Sequence, residues 1–118
     1  MTFQVCDDIP DLVGTDESLG KPAGLDMVAG VYTLPVIRAL AESEAGPELA
    51  SLLGGPLDEA TRDKAREIVR GSLGIADALT VAREWAVKAA DALTAFPAGP
   101  VVDQLATLGH RLIDDLPV

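Results

Sequence analysis

The sequence is poor in several kinds of residue, and each shortage excludes a class of protein. Cys6 is the only cysteine in 118 residues, so no internal disulfide can form. Two Phe, one Trp and one Tyr are the only aromatic residues, while Ala and Leu supply most of the apolar mass, which favours helices over strands. The chain shows neither a secretory leader nor an apolar run long enough to span a bilayer. These absences predict an all-α protein located in the cytoplasm.

Positive charge is also scarce. Nine Lys and Arg residues against 19 Asp and Glu residues give a formal net charge of −10. A nucleic acid would be repelled by this balance, so nucleic acid is excluded as a partner. A phosphate ester would have to be held by a few local cations or by bridging metal ions. The length allows one domain with a hydrophobic core.

Apolar residues recur at helical spacing along most of the chain. We expect a helix over Thr2–Val13, a loop over 14–30, and helices over 34–45, 47–53, 58–69, 75–96 and 100–116. Thr33 and Asp58 are suited to helix N-caps, and the glycines at 71 and 74 predict a break. Trp85 is expected in the core and His110 at the surface. Four basic residues are expected to pair with acidic neighbours on a solvated helix face, namely Arg62, Lys64, Arg66 and Arg70.

The first predicted helix carries three aspartates on one side. At about 100° per residue, Asp7 and Asp11 lie about 40° apart, with Asp8 nearby. One interpretation is a solvated acidic face. The other is a site for Mg²⁺, which binds one or two carboxylates together with waters and substrate phosphates. Lys21 follows in a glycine-proline loop, and a cation beside a carboxylate cluster suits a diphosphate that metal ions bridge.

The residues around this cluster resemble a known family. The run FQVCDDIPDLVGTDESLGKPAGLDMVAGVYTLP resembles the second aspartate-rich region of the trans-prenyltransferases, the polyprenyl diphosphate synthases that include farnesyl and geranylgeranyl diphosphate synthases. The family pattern is Phe-Gln-x-x-Asp-Asp-x-x-Asp, then Gly-Lys, a further aspartate, and Thr-Leu-Pro at the start of the next helix. The residues in register are Phe3, Gln4, Asp7, Asp8, Asp11, Gly20, Lys21, Asp26, Thr33, Leu34 and Pro35.

The resemblance implies the isoprenoid synthase (terpenoid synthase-like) helical bundle, in which two aspartate-rich motifs face each other and hold Mg²⁺ on an allylic diphosphate. The implied reaction condenses isopentenyl diphosphate with that allylic substrate. By the same resemblance, Asp7 and Asp11 would ligate or position a metal ion, and Asp8 would act nearby through water. Lys21 would contact diphosphate, while Gln4 and Asp26 would support the site through hydrogen bonds.

Three features depart from the family pattern. No second motif of this kind is present, because the pair Asp114 and Asp115 lacks its surroundings and is expected to be a solvated helix end. Val31 stands where many members have a lysine, and Pro10 removes a backbone hydrogen bond within the motif.

These departures favour an incomplete enzyme. We interpret residues 1–118 as the C-terminal part of a polyprenyl synthetase domain, carrying the second aspartate-rich motif and having little or no activity alone. The alternative is a non-catalytic helical subunit that pairs with a full-length synthase chain. Apolar helix faces left without cover predict a homo- or hetero-oligomer.

Overall fold

The computed structural model describes residues 2–13, 24–30 and 32–116, and these ranges contain helices and no β-strand. The elements are α1 (Thr2–Val13), α2 (Leu25–Val28), α3 (Leu34–Leu40), α4 (Ala45–Leu53), α5 (Glu59–Gly71), α6 (Gly74–Ala92), a 3-10 turn (Leu93–Ala95) and α7 (Pro100–Asp114). The all-α prediction is confirmed.

Helix α1 lies at the centre of the packing because it contributes to both clusters of buried side chains. Val5, Cys6 and Ile9 pack with Ala78, Leu79, Ala82, Ala86 and Ile113, which belong to α6 and α7. Leu12 packs with Met27, Val36, Ala39, Leu49, Ala65 and Val69, which belong to α2 through α5. At the start of α1, the Thr2 hydroxyl also donates a hydrogen bond of 2.8 Å to the Ala82 carbonyl. The aspartates of α1 are therefore carried by a firmly anchored helix.

Several local signals act as the sequence predicts. Asp58 precedes α5 in an extended conformation, and its carboxylate accepts a hydrogen bond of 2.8 Å from the Thr61 backbone N–H. The expected glycine break is present, since α5 ends at Gly71 and α6 begins at Gly74. Thr33 occupies the N-cap position of α3, but its hydroxyl makes no capping bond to the described first turn.

Two predicted segments differ from the structure by more than a shift of a few residues. The helix expected over 34–45 ends at Leu40, and the chain turns before α4 begins at Ala45. This turn brings Gly46 so close to the Leu40 carbonyl that an added Cβ would collide with it, which explains the glycine. The segment expected to be a loop over 14–30 contains α2, a single turn too short to leave a periodic apolar pattern.

The molecule is a thin slab rather than a sphere. Its principal extents are 53 × 32 × 20 Å, and the smallest matches about two helix diameters. Its radius of gyration is 16.4 Å, whereas about 13.5 Å is typical of a compact domain of this length. None of the described helices is both long and apolar enough to cross a membrane.

Many large apolar side chains consequently remain exposed. The prediction that Trp85 belongs to the core is wrong, since Trp85 is 42% exposed and the Lys88 ammonium lies 4.5 Å from its ring centroid. The slab is too thin to cover the second half of α6. Other exposed apolar residues on α6, α7 and their connection are Val87, Phe96, Val101, Leu105 and Leu108.

Candidate functional site

The aspartates of α1 lie on the side of the helix away from its buried apolar residues, Val5, Cys6, Ile9 and Leu12. Asp7 is exposed, Asp8 is half-buried, and Asp11 is buried with 4% of its surface exposed. Gln4, one turn before Asp8, donates a hydrogen bond of 3.0 Å from its side-chain amide to the Asp8 carboxylate. Gln4 therefore restricts the orientation of the Asp8 carboxylate, while its supporting role in a site stays a prediction.

The donor chemistry of this face suits a hard cation, although the described residues do not complete a site. Among them, no group of three His, Cys, Asp or Glu side chains comes together closely enough to hold a metal ion. Carboxylate oxygens are the ligands that Mg²⁺ prefers, and Mg²⁺ takes one or two of them while keeping waters or phosphate oxygens. Helix α1 could supply part of such a coordination shell and no more.

The chain returns to the C-terminal end of α1 at Gly24. The Gly24 backbone N–H donates a hydrogen bond of 2.8 Å to the Asp11 carbonyl. Gly24 has φ of 79°, in the left-handed region that glycine adopts without strain. The segment 14–23, which includes Lys21, lies outside the described residues, but the residues that follow it begin beside an aspartate of the acidic face.

Asp26 lies in α2, immediately after this return point, and its side chain is outside the described part of the structure. The roles expected of Lys21 and Asp26 therefore stay predictions. Helix α2 itself is fixed to α1, since Met27 is buried in the same cluster as Leu12.

Two arginines of α5 reach this junction, so the prediction that they lie on a solvated helix face is wrong. The side chains of Arg62 and Arg66 are only 11% and 13% exposed. One Arg66 guanidinium nitrogen donates a hydrogen bond of 3.0 Å to the Leu12 carbonyl. The signal was present, because both arginines share one face of α5 with the fully buried Ala65 and Val69.

The other two basic residues of this group are surface residues, as expected. Arg70 lies 2.9 Å from Glu67 one turn earlier, and Lys64 lies 3.1 Å from Glu48 on α4. All four side chains are well exposed, so these pairs contribute little to stability.

Four further residues have side chains of types that can carry chemistry. Burial raises the pKa of the Cys6 thiol, which favours the protonated, unreactive form. His110 is exposed on α7, as predicted. Asp114 and Asp115 are also exposed, although Asp115 lines a cleft of about 140 Å³ together with Asp7.

A larger apolar groove lies between the start of α1, the second half of α6 and α7. Its volume is about 440 Å³. Large side chains form its walls, among them Phe3, Trp85 and Leu108, and small residues such as Ala89 and Gly109 also line it. Phe3 is 67% exposed and lies one turn before Asp7, so the groove adjoins the acidic face.

Comparison with known proteins identifies related sequences and folds. The sequence profile of the polyprenyl synthetase family matches residues 1–70. A probable mitochondrial hexaprenyl pyrophosphate synthase from Neurospora crassa is 36% identical over 114 residues, which cover 96% of this chain and 25% of the relative. Heptaprenyl diphosphate synthase component 2 from Bacillus subtilis is 32% identical over 115 residues, covering 95% of this chain and 32% of the relative.

The fold also matches a solved structure. The crystal structure of heptaprenyl diphosphate synthase from Staphylococcus aureus superposes with a TM-score of 0.85 at 25% identity, covering 98% of this chain and 36% of that one. The described helices therefore have the isoprenoid synthase fold that the resemblance implied. The chain spans about a quarter to a third of the length of these relatives.

Proposed function

Because this chain belongs to the polyprenyl synthetase family, we propose that it forms the second aspartate-rich half of a Mg²⁺-dependent diphosphate site. In the complete site, a synthase would condense isopentenyl diphosphate with an allylic diphosphate. The observation that carries the proposal is the acidic face of α1, which a buried core holds in place and which lies beside the point where the chain returns from the Lys21 segment.

Each side chain of the face has a distinct role in this proposal. Asp7 and Asp8 present accessible carboxylates and would bind Mg²⁺, with Gln4 fixing the orientation of Asp8. Asp11 is buried and would act from inside the protein, as a ligand or by positioning one. When bound, Mg²⁺ would neutralise the charge of the leaving diphosphate, which is electrostatic catalysis.

Lys21 would neutralise the diphosphate charge that the metal ions leave. Lys21 is three residues before Gly24 in the sequence, and a chain of that length spans at most about 11 Å. Gly24 is bonded to the Asp11 carbonyl, so the covalent chain limits how far the ammonium can lie from the acidic face. Asp26, two residues after Gly24, would support this arrangement through a hydrogen bond.

A single carboxylate cluster does not complete a charge clamp around a diphosphate, so we expect the purified chain to show little or no turnover. A chimera tests the proposal more directly. The homologous segment of the Staphylococcus aureus synthase would be replaced by this chain, and Mg²⁺-dependent condensation would be measured. We expect the chimera to be active, because the two folds superpose over nearly the whole of this chain.

Substitutions in the chimera then assign the site. Asp7→Asn removes a proposed ligand and is expected to lower kcat by at least about a hundredfold, as losses of transition-state electrostatic stabilisation commonly do. Asp103→Asn, which neutralises an exposed carboxylate on α7, is the matched control and should leave kcat unchanged. Equal kcat values for the two variants would contradict the proposal. Condensation by the 118-residue chain alone would contradict the expected inactivity.

The alternative, a non-catalytic subunit, is favoured by a different observation. The 440 Å³ apolar groove and the exposed faces of α6 and α7 need cover, and a longer synthase chain could supply it. The relative from Bacillus subtilis is named as a component of its synthase. Co-expression of this chain with a full-length prenyl synthase tests the alternative. A complex that Leu108→Glu disrupts would support it, and a lone soluble monomer would count against it.

The cytoplasmic location stays a prediction, which cell fractionation would test.

A further inference from the structure

The guanidinium of Arg66 lies at the C-terminal end of the acidic helix. Its Nη2 donates a hydrogen bond of 3.0 Å to the carbonyl of Leu12, in the last turn of α1. The last carbonyls of a helix lack partners within the helix and carry the negative end of its dipole. A cation is therefore favourable at this position. Because the Arg66 side chain is only 13% exposed, water competes weakly for the bond.

The same side chain packs against the point where the chain returns. A Cβ placed on Gly24 would lie 2.6 Å from the Arg66 Cδ, which shows how closely the arginine stem approaches the Gly24 backbone. The Gly24 N–H is in turn bonded to the Asp11 carbonyl at 2.8 Å. Arg66 therefore touches both sides of the junction, at the last turn of α1 and at the first described residue after the segment 14–23.

From this geometry we infer that Arg66 is a positioning residue for the diphosphate site. It holds Gly24 against the last turn of α1, which carries Asp11, and so keeps the acidic face of Asp7, Asp8 and Asp11 in place for binding a diphosphate. The stem of Arg62 also approaches Gly24, since a Cβ there would lie 3.1 Å from Arg62 Cγ, but the hydrogen bond to the Leu12 carbonyl is made by Arg66. The effect of Arg66 on diphosphate binding rests on the proposed function. The contact of Arg66 with α1 and Gly24 does not.

The test uses the 118-residue chain and two readouts. The first is the affinity for inorganic pyrophosphate in the presence of Mg²⁺, measured by calorimetry well below the unfolding temperature. The second is the hydrogen exchange of the Gly24 amide, normalised to amides in the middle of α6. Arg66→Met removes the charge and keeps much of the stem, and Arg70→Met on the same helix is the exposed control. Arg66→Lys keeps a cation without the fork of the guanidinium.

We expect Arg66→Met to weaken pyrophosphate binding by about tenfold and to accelerate Gly24 exchange by at least as much, the size of one lost bond to a charged group. Arg66→Lys should give values between those of Arg66→Met and the wild type in both readouts. If Arg66→Met does not fold, Arg66→Lys takes its place in the comparison. Arg70→Met should change neither readout. If Arg66 only stabilised the fold, replacing it would lower the unfolding temperature without changing the pyrophosphate affinity or the normalised Gly24 exchange.

The outcomes separate the two proposals. If the wild type binds no pyrophosphate, the proposed function fails, and Gly24 exchange alone then decides the role of Arg66. If Gly24 exchange in Arg66→Met or Arg66→Lys matches that in Arg70→Met, the inference is overturned. Where the wild type does bind pyrophosphate, faster exchange with unchanged affinity would also overturn the inference, because the contact would then have no consequence for the site.

Discussion

Replacing Gly24 by alanine tests the packing at the C-terminal end of α1, and Gly30 offers a matched control. Both glycines have left-handed backbones, with φ of 79° and 77°. A Cβ on Gly24 would meet Arg66 Cδ at 2.6 Å and Arg62 Cγ at 3.1 Å, whereas a Cβ on Gly30 would meet nothing within 4 Å. The two substitutions therefore share the backbone strain and differ in the collision.

The magnitudes follow from these contacts. A residue with a Cβ in the left-handed region lowers the free energy of unfolding by roughly 1–2 kcal/mol. Replacing glycine also restricts the unfolded chain, which raises that free energy by about 0.4–1 kcal/mol. We expect Gly30→Ala to lower the free energy of unfolding by about 1 kcal/mol or less. Gly24→Ala also displaces Arg66 from the Leu12 carbonyl, a bond to a charged group worth about 1.5–3 kcal/mol. It should cost about 2 kcal/mol more than Gly30→Ala.

Urea unfolding followed by far-UV circular dichroism measures both free energies. A third chain isolates the collision with Arg66, because in an Arg66→Ala background only the milder contact with Arg62 Cγ at 3.1 Å remains. There Gly24→Ala should cost only slightly more than Gly30→Ala. Equal destabilisation by the two single substitutions in the wild-type background would refute the reasoning, since it would mean that Arg66 does not occupy the space above Gly24.

Three further predictions concern the helix that carries the aspartates and a helix that supports it. Ile9→Ala should cost about 2–5 kcal/mol in urea unfolding, because Ile9 is fully buried, whereas Phe3→Ala on the same helix should stay within about 0.5 kcal/mol. Cys6 should resist iodoacetamide in the folded chain and react on unfolding, because burial raises the pKa of its thiol; equal rates in both states would contradict the packing of α1. The hydrogen bond from the Thr61 backbone N–H lowers the pKa of the Asp58 carboxyl. The charge-dependent part of the stability lost in Asp58→Ala should therefore be fully present above about pH 4 and should disappear as the pH falls through the folded pKa. A pH-independent difference would show that the charge of Asp58 is not involved.

Much of the fold could be predicted because its strongest signals are local. The apolar spacing of α1, the cap at Asp58 and the break between Gly71 and Gly74 each depend on a few neighbouring residues, and all are confirmed. The turn between Leu40 and Ala45 was missed because alanine and leucine continue the helical pattern across it. The reversal depends on the close approach of Gly46 to the Leu40 carbonyl six residues earlier, which the apolar pattern does not report.

The shared face of the three aspartates could be predicted from the sequence, whereas the burial of each one could not. Helix geometry alone predicts that Asp7, Asp8 and Asp11 share one face. The roles of Gln4, Lys21 and Asp26 were predicted from the family resemblance. The spacing does not reveal that Asp11 is buried while Asp7 is exposed, because α1 alone does not determine what covers it.

Arg66 was misplaced for a related reason. Its charge and its position three residues after Asp63 predicted an exposed side chain. Its place on the same helix face as the buried Ala65 and Val69 directs it to the end of α1 instead. Trp85 was misplaced in the opposite direction. Large apolar residues are usually buried, but this slab leaves the second half of α6 uncovered.

The central claim is that the acidic face of α1 and Lys21 act together on a diphosphate held through Mg²⁺. Calorimetric titration of the chain with pyrophosphate, with and without Mg²⁺, tests it most directly when the wild type is compared with Asp7→Asn, Lys21→Gln and the surface control Lys64→Gln. The account predicts binding that requires Mg²⁺, that each of the first two substitutions weakens by about tenfold or more, and that the control leaves intact. Binding that is equally strong without Mg²⁺, or that both Asp7→Asn and Lys21→Gln leave unchanged, would contradict it.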